Sequence, residues 1–249
     1  MIKRIVNEIR KRPPYKWHRH IGTLAAVFFV FLAVTGVAIN HADALKLDQR
    51  HLASDWLLDW YGIEPETDSV SFATAGGHWL TGTRASVYLD ARRVATTTEM
   101  PVGIAETNGV LAVATGNEIL LLTPDGDLIE RIAGNFIPGP IEKLGITAKG
   151  QAIAKTPTGM FLADRNLLTW KPSQATAIWS QATAAPAQLL EGVGKAERRR
   201  MLNLERVLLD LHSGRLFGRL GPYLMDGVAL LLLALVGTGF YMRFLKRGQ

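Results

Sequence analysis

The pattern of apolar and polar positions divides the chain into segments of different kinds. Ile21 to Ile39 is a run of 19 residues without a charge, and Tyr223 to Met242 is a run of 20 broken only by Asp226. At about 1.5 Å per residue each is long enough to cross roughly 30 Å of hydrocarbon, so both are expected to be membrane-spanning helices. From about Val70 to Trp170 the pattern changes to short runs rich in Val, Ile, Leu and Thr between Gly, Asn or Asp turns, which predicts an antiparallel β domain. Strands are expected at Ser86–Leu89, Val110–Ala114, Glu118–Thr123 and Asp127–Ile132, with Pro124-Asp125-Gly126 as the turn joining the last two.

The segment starting at Gly103-Ile104 echoes the one starting at Gly145-Ile146, a period of about 42 residues. Four short strands per period resemble a propeller blade, but so few periods cannot close a ring, which leaves a sandwich or a partial propeller. Gln49 to Tyr61 carries Leu52, Trp56, Leu57 and Trp60 at helical spacing and predicts a short helix lying on the membrane surface, ended by Gly62. From Asn203 onward Leu204, Val207, Leu208 and Leu211 form a helical stripe, and Gly221-Pro222 marks a bend, with Pro222 suited to the first turn of the second span.

The expected organisation is a basic cytoplasmic N-terminus over residues 1–20 and a first span over 21–41, followed by an interfacial helix and connector over 42–66. A periplasmic β domain over 67–171 and a connector rich in Ala, Pro, Gln and Gly over 172–202 come next. An amphipathic return helix over 203–221, a second span over 222–243 and a cytoplasmic tail over 244–249 complete the chain. The fold class is thus membrane α plus β.

Charge sets the orientation. Lys3, Arg4, Arg10, Lys11, Arg12, Lys16 and Arg19 precede the first span, and Arg243, Lys246 and Arg247 follow the second, so both termini are expected in the cytoplasm of a bacterium with the central domain across the inner membrane. Those ten residues account for the net charge of +6 without nucleic acid as a partner; membrane lipid is the expected one. Trp17, Tyr15, Tyr223 and Tyr241 fit an aromatic belt. Ala42-Asp43-Ala44 resembles a signal-peptide cleavage site, but the preceding apolar run is too long for a signal core, so the first segment is read as a retained span. The absence of cysteine excludes disulfides and thiolate ligation of haem or metal.

Histidine placement changes the picture most. Of six histidines, His18 and His20 lie at the start of the first span, His41 at its other end, and His212 on the return helix before the second span. His20 and His41 are 21 residues apart, about 31 Å of rise and a rotation near 60° on a continuous helix, so they share roughly one side. A single boundary histidine is commonly just an amphipathic ring in the headgroup region. Imidazoles at both rims are also what axial ligation of haem at two depths requires. Gly22, Gly36, Gly214 and Gly218 would admit a porphyrin or another helix, and Asp226 is a candidate orienting partner of His41 or His212, or an ordinary interhelix hydrogen-bond former. His51 and His78, in the central domain, read as surface groups. Two spans are too few to enclose a haem, so a homodimer forming a four-helix bundle is expected, with His20 of both subunits at an inner haem and His41 and His212 at outer ones.

The segment Trp17-His18-Arg19-His20-Ile21-Gly22 with its apolar run ending Thr35-Gly36, and Leu211-His212-Ser213-Gly214-Arg215-Leu216-Phe217-Gly218 before a span ending Gly237-Thr238-Gly239, resemble the paired hallmarks of the PepSY-associated transmembrane family. The resemblance covers both membrane ends, roughly 80 residues, and not the β domain. It implies haem b in an inner-membrane protein that reduces ferric iron or ferric siderophore at the periplasmic face, with His20 and His212 as matching ligands beside His18 and His41. The electron donor would be quinol or a cytoplasmic reductase, since no dinucleotide or flavin motif is present, and a ferrous iron transporter would take the product. The competing reading is a non-catalytic membrane-anchored domain that binds a transporter or envelope enzyme.

Overall fold

The structure, a computed structural model, describes residues 13–133 and 136–247. The basic residues Lys3 to Arg12 and the last two residues lie outside the described residues, as do the side chains of residues 13–17 and 245–247, which include Tyr15, Lys16, Trp17, Lys246 and Arg247. The helices are α1 (Pro13–Asn40), α2 (Ala42–Leu45), α3 (Asp55–Trp60), α4 (Ala187–Arg198), α5 (Leu204–His212) and α6 (Gly221–Arg247), with a 3-10 turn (Arg215–Leu220) between the last two. The chain divides into two units, residues 1–54 with 200–249, and residues 55–199.

The first unit is built on two long apolar helices. A backbone in hydrocarbon must satisfy its polar groups internally, and a continuous helix does so. Both helices expose large apolar side chains, among them Leu24, Val27 and Phe29 on α1 and Leu230, Leu233 and Phe240 on α6, as helices facing lipid do. They contact each other and run in opposite directions, since the start of α1 bonds the end of α6. Among the described residues their buried side chains are few and small to medium: Ala25 and Thr35 on α1 and Val228 on α6. Pro222 takes the second position of α6, where its missing N–H would have had no helical acceptor.

The expected return helix is shorter than its polar pattern predicts. Asn203 caps α5 by accepting the Arg206 N–H at 2.9 Å, but the helix stops at His212. Gly214 then turns left-handed (φ 80) and lies so close to Gly221 that a Cβ on it would stand 2.4 Å from the Gly221 carbonyl oxygen. Gly214 is thus a tight backbone crossing, and Gly218 (φ 76) a second break in the turn, neither of them part of an extended helix surface. The strand-like segments beside α2 and α5 zip together: Leu52 N–H donates to Leu202 O at 2.9 Å and Leu204 N–H to Arg50 O at 2.8 Å, closing an antiparallel bridge between His51 and Asn203.

The second unit holds three antiparallel sheets in chain order. The first is β1 (Val70–Ala73), β2 (Trp79–Gly82), β3 (Ser86–Leu89) and β4 (Arg92–Thr96); the second is β5 (Gly103–Thr107), β6 (Val110–Ala114), β7 (Glu118–Leu122) and β8 (Leu128–Ala133). The third is β9 (Lys143–Thr147), β10 (Ala152–Thr156), β11 (Gly159–Ala163) and β12 (Trp170–Pro172), with β13 (Ala177–Trp179) added beside β9. Both faces of the second sheet are covered. Ile104, Leu111, Val113, Leu120 and Leu122 pack with the first sheet's Leu80 and Val87, while Ala105, Ala112, Ala114, Ile119 and Leu121 pack with the third sheet's Leu144 and Ala154. That is why β6 and β7 read as unbroken apolar runs. The arrangement is a stack of repeated meanders, the partial-propeller alternative, rather than two facing sheets.

The glycine echo has a packing cause. A Cβ on Gly103 would sit 2.8 Å from the backbone nitrogen of Leu144, and one on Gly145 would sit 2.3 Å from the Ile178 carbonyl, so each glycine is where a neighbouring backbone comes too close for a side chain. Residues 172–202, expected as a connector, instead carry β13 and α4. The buried Glu197 of α4 accepts a 2.8 Å bond from Tyr88 OH, and Arg198 donates to Ile63 O at 2.6 Å and pairs with Asp59 of α3. Helix α3 begins only at Asp55, so Leu52 does not share a stripe with Trp56 and Trp60, which are exposed with rings 6.2 Å apart while Leu58 is buried.

Candidate functional site

Two histidines in the membrane unit are held by side chains, one at each end. On α5, His212 Nδ1 lies 2.8 Å from Thr35 Oγ1 of α1. On α1, His18 Nδ1 lies 2.9 Å from Thr238 Oγ1 of α6. Both threonines also donate back to their own helices: Thr35 to Phe31 O at 2.8 Å and Leu32 O at 3.3 Å, Thr238 to Ala234 O at 2.9 Å and Leu235 O at 3.1 Å. Each is followed by a glycine beside the ring: a Cβ on Gly36 would stand 3.5 Å from His212 Cε1, and one on Gly239 would stand 3.8 Å from His18 Cε1. The two contacts are separated by 17 residues of α1, about 25 Å along its axis, which places them near opposite boundaries of a hydrocarbon layer.

Among the described residues neither ring makes a second protein hydrogen bond, so Nε2 of His18 and of His212 has no protein partner. The two rings are half-buried. His20 and His41 are exposed, with no side-chain bond among the described residues; His41 sits between α1 and α2. Asp226 is exposed and bonds neither His41 nor His212; the side chain that orients His212 is Thr35. Gly22 has nothing within 4 Å of a built Cβ, whereas Gly36 adjoins His212.

The threonines carried no metal-type signal. Their trace in the sequence is the Thr-Gly pair recurring near the end of both spans. Helical periodicity places each on a face of its own helix but does not say which residue of the other helix comes opposite.

In the β unit, His51 is outside and His78 inside the boundary at residue 55. His51, in the membrane unit's bridge, donates from Nδ1 to Gln49 O at 3.0 Å. His78 donates from Nδ1 to Asp90 Oδ2 at 2.8 Å beside an open cleft of about 320 Å³ that Glu106 and Asp125 also line. Asp90 is held below its ordinary value of 3.8, chiefly by the Trp79 backbone N–H it accepts at 2.9 Å; partial burial opposes this and the His78 bond and charge add to it. Among the described residues there is no group of three or more His, Asp or Glu side chains that could hold a metal ion.

That donor set distinguishes between ligands. Isolated imidazoles so far apart cannot assemble the three or four protein ligands of a bare metal ion. A haem iron brings four equatorial nitrogens and asks the protein for one or two axial imidazoles, so half-buried rings with an unpartnered Nε2 fit it. The threonine contacts would act as the orienting partners that ligating histidines ordinarily have.

Two apolar helices long enough to cross a membrane, enclosing in sequence a domain of three antiparallel sheets, define a two-span membrane protein. The chain matches the PepSY-associated TM region family over residues 4–247 and belongs to it. The match extends through the β domain that the membrane-end motifs alone left uncovered. No curated protein matches the chain.

Proposed function

We propose that this membrane protein holds haem b through His18 and His212 and reduces ferric iron or a ferric siderophore in iron acquisition. The observation that carries the reading is the pair of half-buried imidazoles at opposite ends of α1, each fixed at Nδ1 and open at Nε2. When bound, haem supplies a one-electron couple, which suits a substrate Fe3+ that takes one electron to become Fe2+ and a donor such as quinol or a cytoplasmic reductase that releases electrons.

The chain's own residues divide the work. His18 and His212 bind, and Thr35 and Thr238 hold the rings against rotation. His20 and His41 are exposed, and in a homodimer they are the rings available to an iron shared across the subunit boundary. The flanking positive charge orients the protein in the bacterial inner membrane with both termini cytoplasmic, so the His212 end and the β unit are periplasmic. A ferrous iron transporter is the fitting recipient of the product.

The test is a reduced-minus-oxidised absorption spectrum of detergent-purified protein with pyridine haemochrome quantitation per chain. A b-type Soret band that ferric chelate reoxidises, and that His212→Ala or His18→Ala diminishes by half or more, is the expected result. A colourless preparation after expression with haem precursor would sink the reading and leave a membrane-anchored binding domain.

A further inference from the structure

The two threonine contacts carry more than position, because their protons can be counted. A threonine hydroxyl has one proton and two lone pairs, and a carbonyl oxygen only accepts. Thr35 Oγ1 is within bonding distance of Phe31 O and Leu32 O, so its proton has two acceptors on its own helix; the back-bond to the carbonyl four residues earlier is a common state of threonine in a helix. With the proton given to the helix, what Thr35 Oγ1 has left for His212 is a lone pair, and the 2.8 Å contact is then a bond donated by Nδ1. Thr238 repeats the arrangement with Ala234 O and Leu235 O on one side and His18 Nδ1 on the other. An imidazolium would also satisfy Nδ1, but its second N–H, at Nε2, would find no acceptor among the described residues. The neutral ring with its proton on Nδ1 is what remains, and its lone pair is then on Nε2.

We propose that Thr35 and Thr238 are tautomer-setting residues: each, its own proton spent on its helix, forces the Nδ1–H form on His212 and His18 and presents Nε2 as the electron-pair donor. Free neutral imidazole prefers the opposite tautomer, with Nε2 protonated and closed to a metal. The latches work reciprocally, since the C-terminal segment's histidine is set by the first helix and the first helix's histidine by α6. Threonine and histidine are positioning and binding residue respectively. The inference rests on the haem reading for the purpose of the arrangement, but the protonation state exists without haem and is tested without it.

The experiment is a long-range 1H–15N correlation spectrum of the haem-free, full-length protein in detergent micelles, labelled at histidine nitrogens, with His18 and His212 assigned by their alanine variants. Both rings are expected to show a protonated Nδ1 and an unprotonated Nε2. In Thr35→Val, which keeps the shape and removes the acceptor, the protonated and unprotonated nitrogens of His212 exchange places; in Thr35→Ser they do not. The unchanged His18 signal in the same Thr35→Val sample is the internal control for folding, and Thr238→Val provides the mirror experiment. If His212 is protonated on Nε2 in the unaltered protein, or if Thr35→Val leaves its pattern unchanged, the assignment is overturned. A protein with the expected tautomers that never takes up haem upholds the assignment and removes the haem reading, so the two failures are separate observations.

Discussion

His212 and His78 are held through the same ring nitrogen at the same 2.8 Å distance, by opposite kinds of partner. His78 stands at the surface of the β unit and donates to the carboxylate of Asp90, and both side chains are about half exposed to water. His212 lies at the end of a membrane helix pair and meets a hydroxyl that fixes the ring without adding charge. Beyond both is the pair of Tyr88 and Glu197, buried inside the β unit, where a carboxylate is tolerated because a phenol donates to it. The three pairs rank by how much water their atoms have lost. The lesson is that as water is lost the partner must be placed by the fold, a hydroxyl beside the half-buried His212 and a phenol beside the buried Glu197.

The strongest way to break that ranking is to give the membrane histidine the surface histidine's partner. Thr35→Asp would put a carboxylate at a position that is 5% exposed. An aspartate at the centre of a span costs about 2.5–3.5 kcal/mol, so at this boundary position the variant is expected to lose up to about 3 kcal/mol in detergent unfolding and to fail to take up haem. Thr35→Val, which deletes the bond to His212 together with the back-bond to its own helix, is expected to cost about 0.6 kcal/mol by the same measurement. A Thr35→Asp protein as stable as Thr35→Val would show that water reaches this end of the helix pair and that the comparison with His78 is misplaced.

The buried pair has the next largest expected effect. Tyr88→Phe removes the donor to Glu197 Oε1 and leaves a carboxylate that is 4% exposed without that bond. The expected loss is about 2 kcal/mol, within the range for stranding a buried polar group. Amide hydrogen exchange of full-length protein would place it, with faster exchange expected in α4 and in β3. Protection that is unchanged in α4 would mean that Arg198, through Ile63 and Asp59, fixes the helix unaided.

These three pairs were not equally legible in the amino-acid sequence. Apolar runs between turn residues located β3 and β6 to the residue, and two uninterrupted apolar stretches located the two long helices, because turns and a membrane's thickness leave their marks on contiguous positions. His212 drew notice as a boundary histidine on the return helix before the second span, and His18 only as one of two neighbours at the start of the first. Thr35 and Thr238 were visible solely as the ends of two Thr-Gly pairs, since their meaning lies in which residue of a distant segment comes opposite. The helix α4 escaped for a related reason: its Ala, Gly and Gln content looks like a linker, and what makes it a helix of the β unit is Glu197 under Tyr88, a contact between residues 109 positions apart. Gly214 and Gly218 resembled a packing stripe, yet their left-handed conformations end the helix that the stripe presumes.

The smallest expected effect is at the solvated end of the ranking, where pH is the sharper tool. Asp90 occupies a left-handed turn position (φ 52) that asparagine also adopts readily, so Asp90→Asn removes the charge while keeping the turn. Because the Trp79 N–H and His78 hold the folded carboxyl below its ordinary value of 3.8, its contribution to stability is complete above that value and disappears as the pH falls through the lower folded one. The difference between the unaltered protein and Asp90→Asn should therefore be below about 1 kcal/mol at neutral pH, as befits an exposed and screened pair, and should shrink towards zero as the pH falls below 3.8. Urea unfolding of the β unit in full-length protein between pH 7 and pH 3 measures it. A difference of 2 kcal/mol or more at neutral pH would mean that the His78 and Asp90 pair behaves as a desolvated one, and the ordering of the three pairs by lost water would fail at the end where it is easiest to check.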